Sequence, residues 1–240
     1  MIVIPMAGLS SRFFKAGYEL PKYMLQAHGE SLFDHSVKSF QAYFDTTRFV
    51  FIVRDVFDTP EFVKQRADAL NIKDYDIVIL TEETRGQAET VTLGLNNYRN
   101  SNEPITIFNI DTFRPGFIYP DLKQLGDGYL EVFRGTGDNW SFVRPISEST
   151  TQVDLTTEKN PISDLCCTGL YHFKNIQDYF KAYDYYLSIP QEQWEKGELY
   201  VAPLYNYLIS LESKIHYHEI LRSEVIFCGT PDEYTSFINA

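Results

Sequence analysis

Cysteine is scarce: Cys166, Cys167 and Cys228 are the only three in 240 residues. The count is odd, two are adjacent, and none has the spacing of a metal-ligand pair, which excludes a disulfide framework and a zinc knuckle. All three read as reduced core residues. Long apolar runs are missing too. No stretch approaches 18 apolar residues, and no basic segment leads into an apolar one at the N-terminus, so the sequence predicts neither a membrane-spanning helix nor a secretory signal, and a cytoplasmic protein. Basic residues are outnumbered, 21 Lys and Arg against 33 Asp and Glu, for a net charge of −12. A general nucleic-acid binder needs a basic face and is excluded on that ground. Low-complexity tracts, internal repeats and long linkers are absent as well.

The chain does contain enough apolar material for a core, 44% hydrophobic and 15% aromatic, at a length that suits one α/β domain. Ile2–Met6, 48–53 and 76–80 read as strands buried on both faces, with 105–109 a fourth. Helical spacing covers 31–43, a Thr-Pro start opens 59–70, and 86–97 reads as another helix. This alternation predicts a doubly wound, mostly parallel, Rossmann-like sheet. In the second half, 128–134, 140–145, 151–156, 169–173, 214–219 and 225–228 read as strands, and 177–187 and 200–212 as helices, making a smaller mixed lobe. The expected organisation is a single domain, residues 1–115 and 116–240, breaking near Gly116.

Charge is uneven. Residues 1–30 hold Arg12, Lys15 and Lys22 against Glu19 and Glu30, a net +1 within an acidic chain. In that segment the first apolar run ends in Ala7-Gly8-Leu9-Ser10-Ser11-Arg12, and Pro21-Lys22 follows. Small residues after a strand let backbone N–H groups approach an anion, and the two cations add fixed positive charge. The segment lacks the Gly-Lys-Ser/Thr of a P-loop and the G-x-G-x-x-G of a dinucleotide turn. Asn109-Ile110-Asp111 ends a predicted strand on the same sheet edge, where a carboxylate either caps a turn or holds a divalent cation on phosphate oxygens.

This entry loop resembles the N-terminal signature of the sugar-phosphate nucleotidyltransferases, including the short cytidylyl-, uridylyl- and thymidylyltransferase-like members of bacterial surface-polysaccharide (capsule) pathways. Further segments match in order: Gly86-Gln87-Ala88, Glu158-Lys159-Asn160-Pro161, Cys167-Thr168-Gly169-Leu170-Tyr171-His172-Phe173, Gly197-Glu198 and Gly229-Thr230-Pro231-Asp232-Glu233. The C-terminal hexapeptide repeats of longer members are absent. The resemblance implies transfer of a nucleotidyl group from an NTP, CTP ahead of UTP and dTTP, to a phosphorylated sugar or other small phosphorylated metabolite, with pyrophosphate released. It implies Arg12 on the leaving phosphates, Lys22 on the α-phosphate, and Asp111 as ligand of Mg2+. Ala7, Gly8, Leu9, Ser10, Ser11, Gly86 and Gln87 would bind the nucleotide. Lys159 would bind the acceptor phosphate, with Glu158, Gly169, Glu198 and Trp140 lining the acceptor pocket. The implied partners are an NTP and a small phosphorylated acceptor, with no nucleic acid or membrane; a homo-oligomer is compatible with all of this.

Two departures stand out. Ser10 replaces a usual glycine, which either tightens the loop or adds a hydroxyl donor. Phe227 stands where the family carries a second metal-binding Asp, leaving Asp232, Glu224 or Asp164 as substitutes, a single-carboxylate site, or lost catalysis. A GT-A glycosyltransferase is the alternative; those enzymes use Asp-x-Asp where this chain has Asn109-x-Asp111. His216-x-His218 shares one strand face at a zinc-compatible spacing but has no third ligand, and reads as a polar strand face. Phe13, Phe14, Tyr18 and Tyr23 near the loop are suited to base stacking, although packing accounts for most aromatics in so aromatic a chain.

Overall fold

The β-branched and aromatic runs Ile2–Pro5 and Phe49–Arg54 form strands whose residues are buried, Arg54 being the half-buried exception. They pair in parallel from Ile2 opposite Phe49 to Pro5 opposite Ile52. Tyr75–Leu80 pairs in parallel with Phe49–Arg54. The computed structural model describes residues 1–240 and corrects the expectation that this third strand is buried on both faces: it is an edge strand, half-buried along its length, with Ile79 48% exposed.

The chain divides into two compact units. The first comprises 2–83, 108–118 and 223–240. Its parallel strands carry helices Leu32–Val37 and Thr59–Ala69. Ser31 caps the former in a reciprocal box with Asp34, and Arg66 of the latter reaches Asp34 Oδ1 at 2.9 Å, so the cap also ties the helices together. Helix 31–43 is not continuous: it passes into a 3-10 stretch, Lys38–Tyr43, with non-helical backbone at Phe40. A hairpin, Gln26–Ala27 with Glu30–Ser31, turns on His28 and Gly29, both at positive φ, as a two-residue hairpin turn demands. The pairing of Thr112–Phe113 with Ile226–Phe227, and the C-terminal helix Pro231–Ile238, complete the unit. Phe13, Leu25, Ala27, Leu32, Phe113, Cys228 and Tyr234 share a cluster that packs the entry loop's helix, the hairpin and the C-terminal helix together.

The second unit comprises Met1, 84–107 and 119–222. Leu165–Phe173 runs antiparallel to Gly128–Arg134 with an irregularity between Cys167 and Tyr171, where Gly169 adopts φ 96°. This strand begins four residues before the expected Gly169. Ile215–Ile220 lies parallel to Gly128–Arg134, and Ser141–Pro145 antiparallel to Val153–Glu158. Helix Gln87–Gly94 stops short of the predicted Asn97, and Leu204–Ser210 begins only after Pro203, leaving Tyr200 outside any helix or strand. The long helix Ile176–Ser188 is fixed by Tyr179, whose buried hydroxyl donates to Ala88 O at 2.6 Å. With the long strands of the first unit parallel and those of the second mixed, the sheet gives the α/β, mostly parallel, Rossmann-like architecture that the alternation predicts. All three cysteines are free and buried. No helix is long and apolar enough to cross a membrane.

Candidate active site

In the first unit, strand Ile2–Pro5 leads through Met6 and Ala7, both buried, into exposed Gly8 and Leu9. A Cβ on Gly8 would meet no protein atom within 4 Å, so nothing in the protein itself requires glycine there. Ser10 takes the left-handed conformation, φ 52° and ψ 30°, and its carbonyl accepts the N–H groups of Phe13 and Phe14 to open the short helix Ser11–Lys15. Arg12 lies exposed on that helix and makes no ion pair. Phe13 beside it is buried and anchors the helix in the cluster described above. Tyr18 packs edge-on to Tyr234, and Tyr23 is buried with its hydroxyl 2.9 Å from Thr59 Oγ1. Packing therefore accounts for Phe13, Tyr18 and Tyr23, while Phe14 stacks on exposed Phe57.

Tyr23 also fixes its neighbour. Lys22 opens a 3-10 turn after Pro21, its N–H donates to Ser10 Oγ at 3.1 Å, and its Nζ lies 2.5 Å from Asp111 Oδ2. Asp111 is held by its backbone. The turn closes through Thr112 N–H to Asn109 O, and Cys228 N–H donates to Asp111 O at 2.8 Å. Gly229 packs so closely that a Cβ there would sit 2.9 Å from Asp111 Oδ2. Beside it Glu233 accepts the N–H groups of Gly229 and Thr230, each at 2.9 Å, within the capping box of the C-terminal helix. Burial, with the Glu233 and Asp111 carboxylates, pushes the Cys228 thiol up to about 12, so it stays protonated and inert.

Phe227 pairs with Thr112 on the neighbouring strand. Among its suggested substitutes, Asp164 is held by Arg134, and Asp232 lies exposed in the first turn of the C-terminal helix. No group of three or more His, Cys, Asp or Glu is arranged to hold a metal. His216 donates to or accepts from Thr151 Oγ1 at 2.9 Å, as a polar strand face requires. What Asp111 offers a cation is one carboxylate whose Oδ1 makes no hydrogen bond, Oδ2 being taken by Lys22. Magnesium accepts one protein carboxylate when phosphate oxygens and water complete its shell, so the donor set fits.

The second unit holds the remaining candidates. Gly86, at φ 148°, abuts Leu199: a Cβ would come within 2.5 Å of Leu199 O. Backbone bonds from Ala88 to Leu199 O and from Leu199 to Arg85 O fasten the Gly86-Gln87 helix start to the 198–200 segment. Tyr200, next along, accepts from Lys159 Nζ at 2.6 Å, with the ammonium 4.7 Å from its ring centroid. The Gln87 helix start and Lys159, distant in sequence, are thus joined through two consecutive residues, Leu199 and Tyr200. Lys159 sits at φ 51° and its N–H donates to Trp140 O; the Trp140 ring packs edge-on to Phe133. Glu158 is only 6% exposed, so it is not part of a solvated charged turn. Burial raises its pKa, and Glu195 and Glu198 push the same way against the Ser141 hydroxyl and Lys159. Ser141 Oγ donates to its carboxylate, and its N–H donates to Glu195. Glu198 is exposed.

Among solved structures, the nucleoside-diphosphate-sugar pyrophosphorylase from Vibrio cholerae RC9 matches with a TM-score of 0.97 and 61% identity, over 100% of both chains. The chain belongs to this pyrophosphorylase family. Two distant likenesses share the fold. The inositol-1-phosphate CTP transferase from T. maritima has a TM-score of 0.73 at 13% identity, over 97% of this chain and 89% of its own. A UTP-bound UGPase from Acinetobacter baumannii has 0.68 at 13%, over 99% and 91%. No protein-family model matches the chain, and a search of curated proteins finds no match.

For a pyrophosphorylase-family chain, one residue at the strand ends was absent from the sequence reading. Arg54 ends strand Phe49–Arg54, two residues past Ile52, whose carbonyl receives Met6 N–H at the root of the entry loop. Its Nη1 is buried without a hydrogen bond; Glu83 Oε1 lies 3.4 Å away but out of alignment. Parallel α/β sheets place ligands beyond strand C-termini, and a charged residue closing an apolar strand was the signal available.

Proposed function

We propose that the protein transfers a nucleotidyl group from an NTP, CTP ahead of UTP and dTTP, to the phosphate of a sugar phosphate or other small phosphorylated metabolite, releasing pyrophosphate. The observation that carries the reading is the pairing of Lys22 with Asp111 at 2.5 Å, set against a glycine-bearing loop that leaves open space at Gly8. Membership in the pyrophosphorylase family supports the same reaction class.

The acceptor's phosphate oxygen attacks the α-phosphorus in line. The new O–P bond forms as the bond from the α-phosphorus to the bridging oxygen breaks, and pyrophosphate leaves with that electron pair. The nucleophile is already anionic, so no general base is needed, and catalysis consists of positioning and charge neutralisation. Backbone N–H groups of Ala7–Ser11 cradle the phosphates. Arg12, which has no protein anion to satisfy it, takes the leaving phosphates, and Lys22 the α-phosphate. Asp111 holds Mg2+, which would supply charge neutralisation at the phosphates. Gly86 and Gln87 form the base-reading edge. Lys159 receives the acceptor phosphate, and Glu158, Gly169, Glu198 and Trp140 its remaining groups. Arg54 belongs to the nucleotide set, its Nη1 making no hydrogen bond in the protein although Glu83 Oε1 lies 3.4 Å away. A reducing, NTP-containing cytoplasm suits three free thiols.

Role assignment is tested by pyrophosphate release with CTP, UTP or dTTP, Mg2+ and a panel of phosphorylated acceptors. Lys22→Ala and Asp111→Asn should each lower the rate by about 10²–10³; retention within a few-fold of wild type sinks the assignment. A second reading, a nucleotide-binding homologue with impaired chemistry, is favoured by Phe227 at the expected second carboxylate. It predicts nucleotide binding without turnover.

A further inference from the structure

Serine at the position before a helix normally turns its hydroxyl inward, accepting an N–H from the helix's first turn, with its own backbone extended. Ser10 does neither. Its backbone is left-handed, a conformation that disfavours any residue with a Cβ, and its side chain makes no capping bond. The hydroxyl oxygen instead accepts Lys22 N–H across 12 residues of sequence at 3.1 Å. Its carbonyl still accepts from Phe13 and Phe14, at 2.9 and 3.2 Å, and so opens the helix bearing Arg12. One residue therefore ties both cations of the entry segment, Arg12 through its carbonyl and Lys22 through its hydroxyl. Lys22 in turn places its ammonium on Asp111.

We infer that Ser10 is a positioning residue, whose hydroxyl holds the Lys22 turn in the place from which that ammonium serves the transferring phosphate. The inference rests on the nucleotidyl-transfer reading for its last step, though the Ser10–Lys22–Asp111 chain stands apart from it. Glycine at this position would satisfy the left-handed backbone better than serine does. Retaining serine gives up conformational ease for one hydrogen bond, and that bond ends on the backbone of Lys22. A role in folding alone predicts that glycine is as good or better; a positioning role predicts that it is worse for activity.

The test compares Ser10→Gly, which suits the backbone and removes only the hydroxyl, with wild type, Lys22→Ala and the double variant. Expected is a fall of about tenfold in kcat for pyrophosphate release, matching one lost hydrogen bond, with KM for the NTP within threefold and the thermal midpoint unchanged or raised. On the Lys22→Ala background Ser10→Gly should add no further loss, because the two act as one unit. An equal loss on both backgrounds, or kcat within twofold of wild type, overturns the inference. A readout independent of turnover is the Lys22 side-chain ammonium signal in the nucleotide-free protein, protected from water exchange by Asp111; Ser10→Gly should broaden it. If the wild type transfers no nucleotidyl group, loss of this signal in Ser10→Gly still upholds the positioning role while the functional reading fails. An unchanged signal in that case overturns the role as well.

Discussion

At the scale of single residues, close approach matters more than charge count. Gly229 is confined by Asp111, whose Oδ2 would lie 2.9 Å from an added Cβ. Gly229→Ala should therefore swing the carboxylate off Lys22. Pyrophosphate release should drop by about tenfold or more, while circular dichroism and the thermal midpoint stay near wild type, because the clash falls on a mobile carboxylate group. The sequence reading attached Gly229 to a family turn but could not reveal this contact, since it depends on two segments 118 residues apart meeting in space. The same holds for Glu233. In the sequence it ends the Gly229-Thr230-Pro231-Asp232-Glu233 segment; folded, it closes a capping box with Thr230 and also accepts the N–H of Gly229.

At the scale of elements, periodicity and start signals made the regular parts legible. The Thr-Pro start at 59 and the buried runs at Ile2–Pro5 and Phe49–Arg54 lie close to where the pattern puts them. The short ones mostly escaped: the His28-Gly29 hairpin, helix Ser11–Lys15 and the two-residue strand at 112 have too few residues for a period to register, although its partner Ile226–Phe227 falls inside the expected strand 225–228. Exposure of the edge strand Tyr75–Leu80 escaped for another reason, because the sheet order that leaves it at the margin is not written in its own residues. Gly86 shows an element joined by a close contact. Gly86→Ala should strain the backbone and strike Leu199, destabilising the protein by about 2 kcal/mol or more and lowering its thermal midpoint. Because Leu199 leads to Tyr200 and Lys159, KM for the acceptor should rise as well. A midpoint within 1 °C of wild type, equivalent to about 0.25–0.5 kcal/mol for a chain of this size, would contradict this account.

At the scale of the whole molecule, stability should carry an acid limb set by a buried imidazole. Burial, reinforced by the N-terminal ammonium, lowers His172 from 6.5 to about 4, and its Nδ1 lies 2.9 Å from Thr106 Oγ1. The unfolded chain takes up a proton on this ring as pH falls through about 6.5, whereas the folded chain resists until about 4. Stability present above 6.5 is therefore lost progressively across that window, up to ~3 kcal/mol at full shift. Urea unfolding at pH 7.5 and 4.5 should show the loss, and His172→Gln should reduce the difference between the two. The overall architecture and the family were readable in advance, because alternation and ordered short motifs survive in a single sequence. The pairings that join Lys22 to Asp111, and Gln87 to Lys159 by way of Leu199 and Tyr200, were not. The central claim is nucleotidyl transfer to a phosphate, and its most direct test is 31P NMR of the protein incubated with CTP, UTP or dTTP, Mg2+ and phosphorylated acceptors. The account predicts paired growth of free pyrophosphate and a new diphosphate diester, both dependent on the acceptor's phosphate. Release of nucleoside diphosphate from a nucleotide sugar, or tight nucleotide binding with no new phosphorus signal for any acceptor, would contradict it.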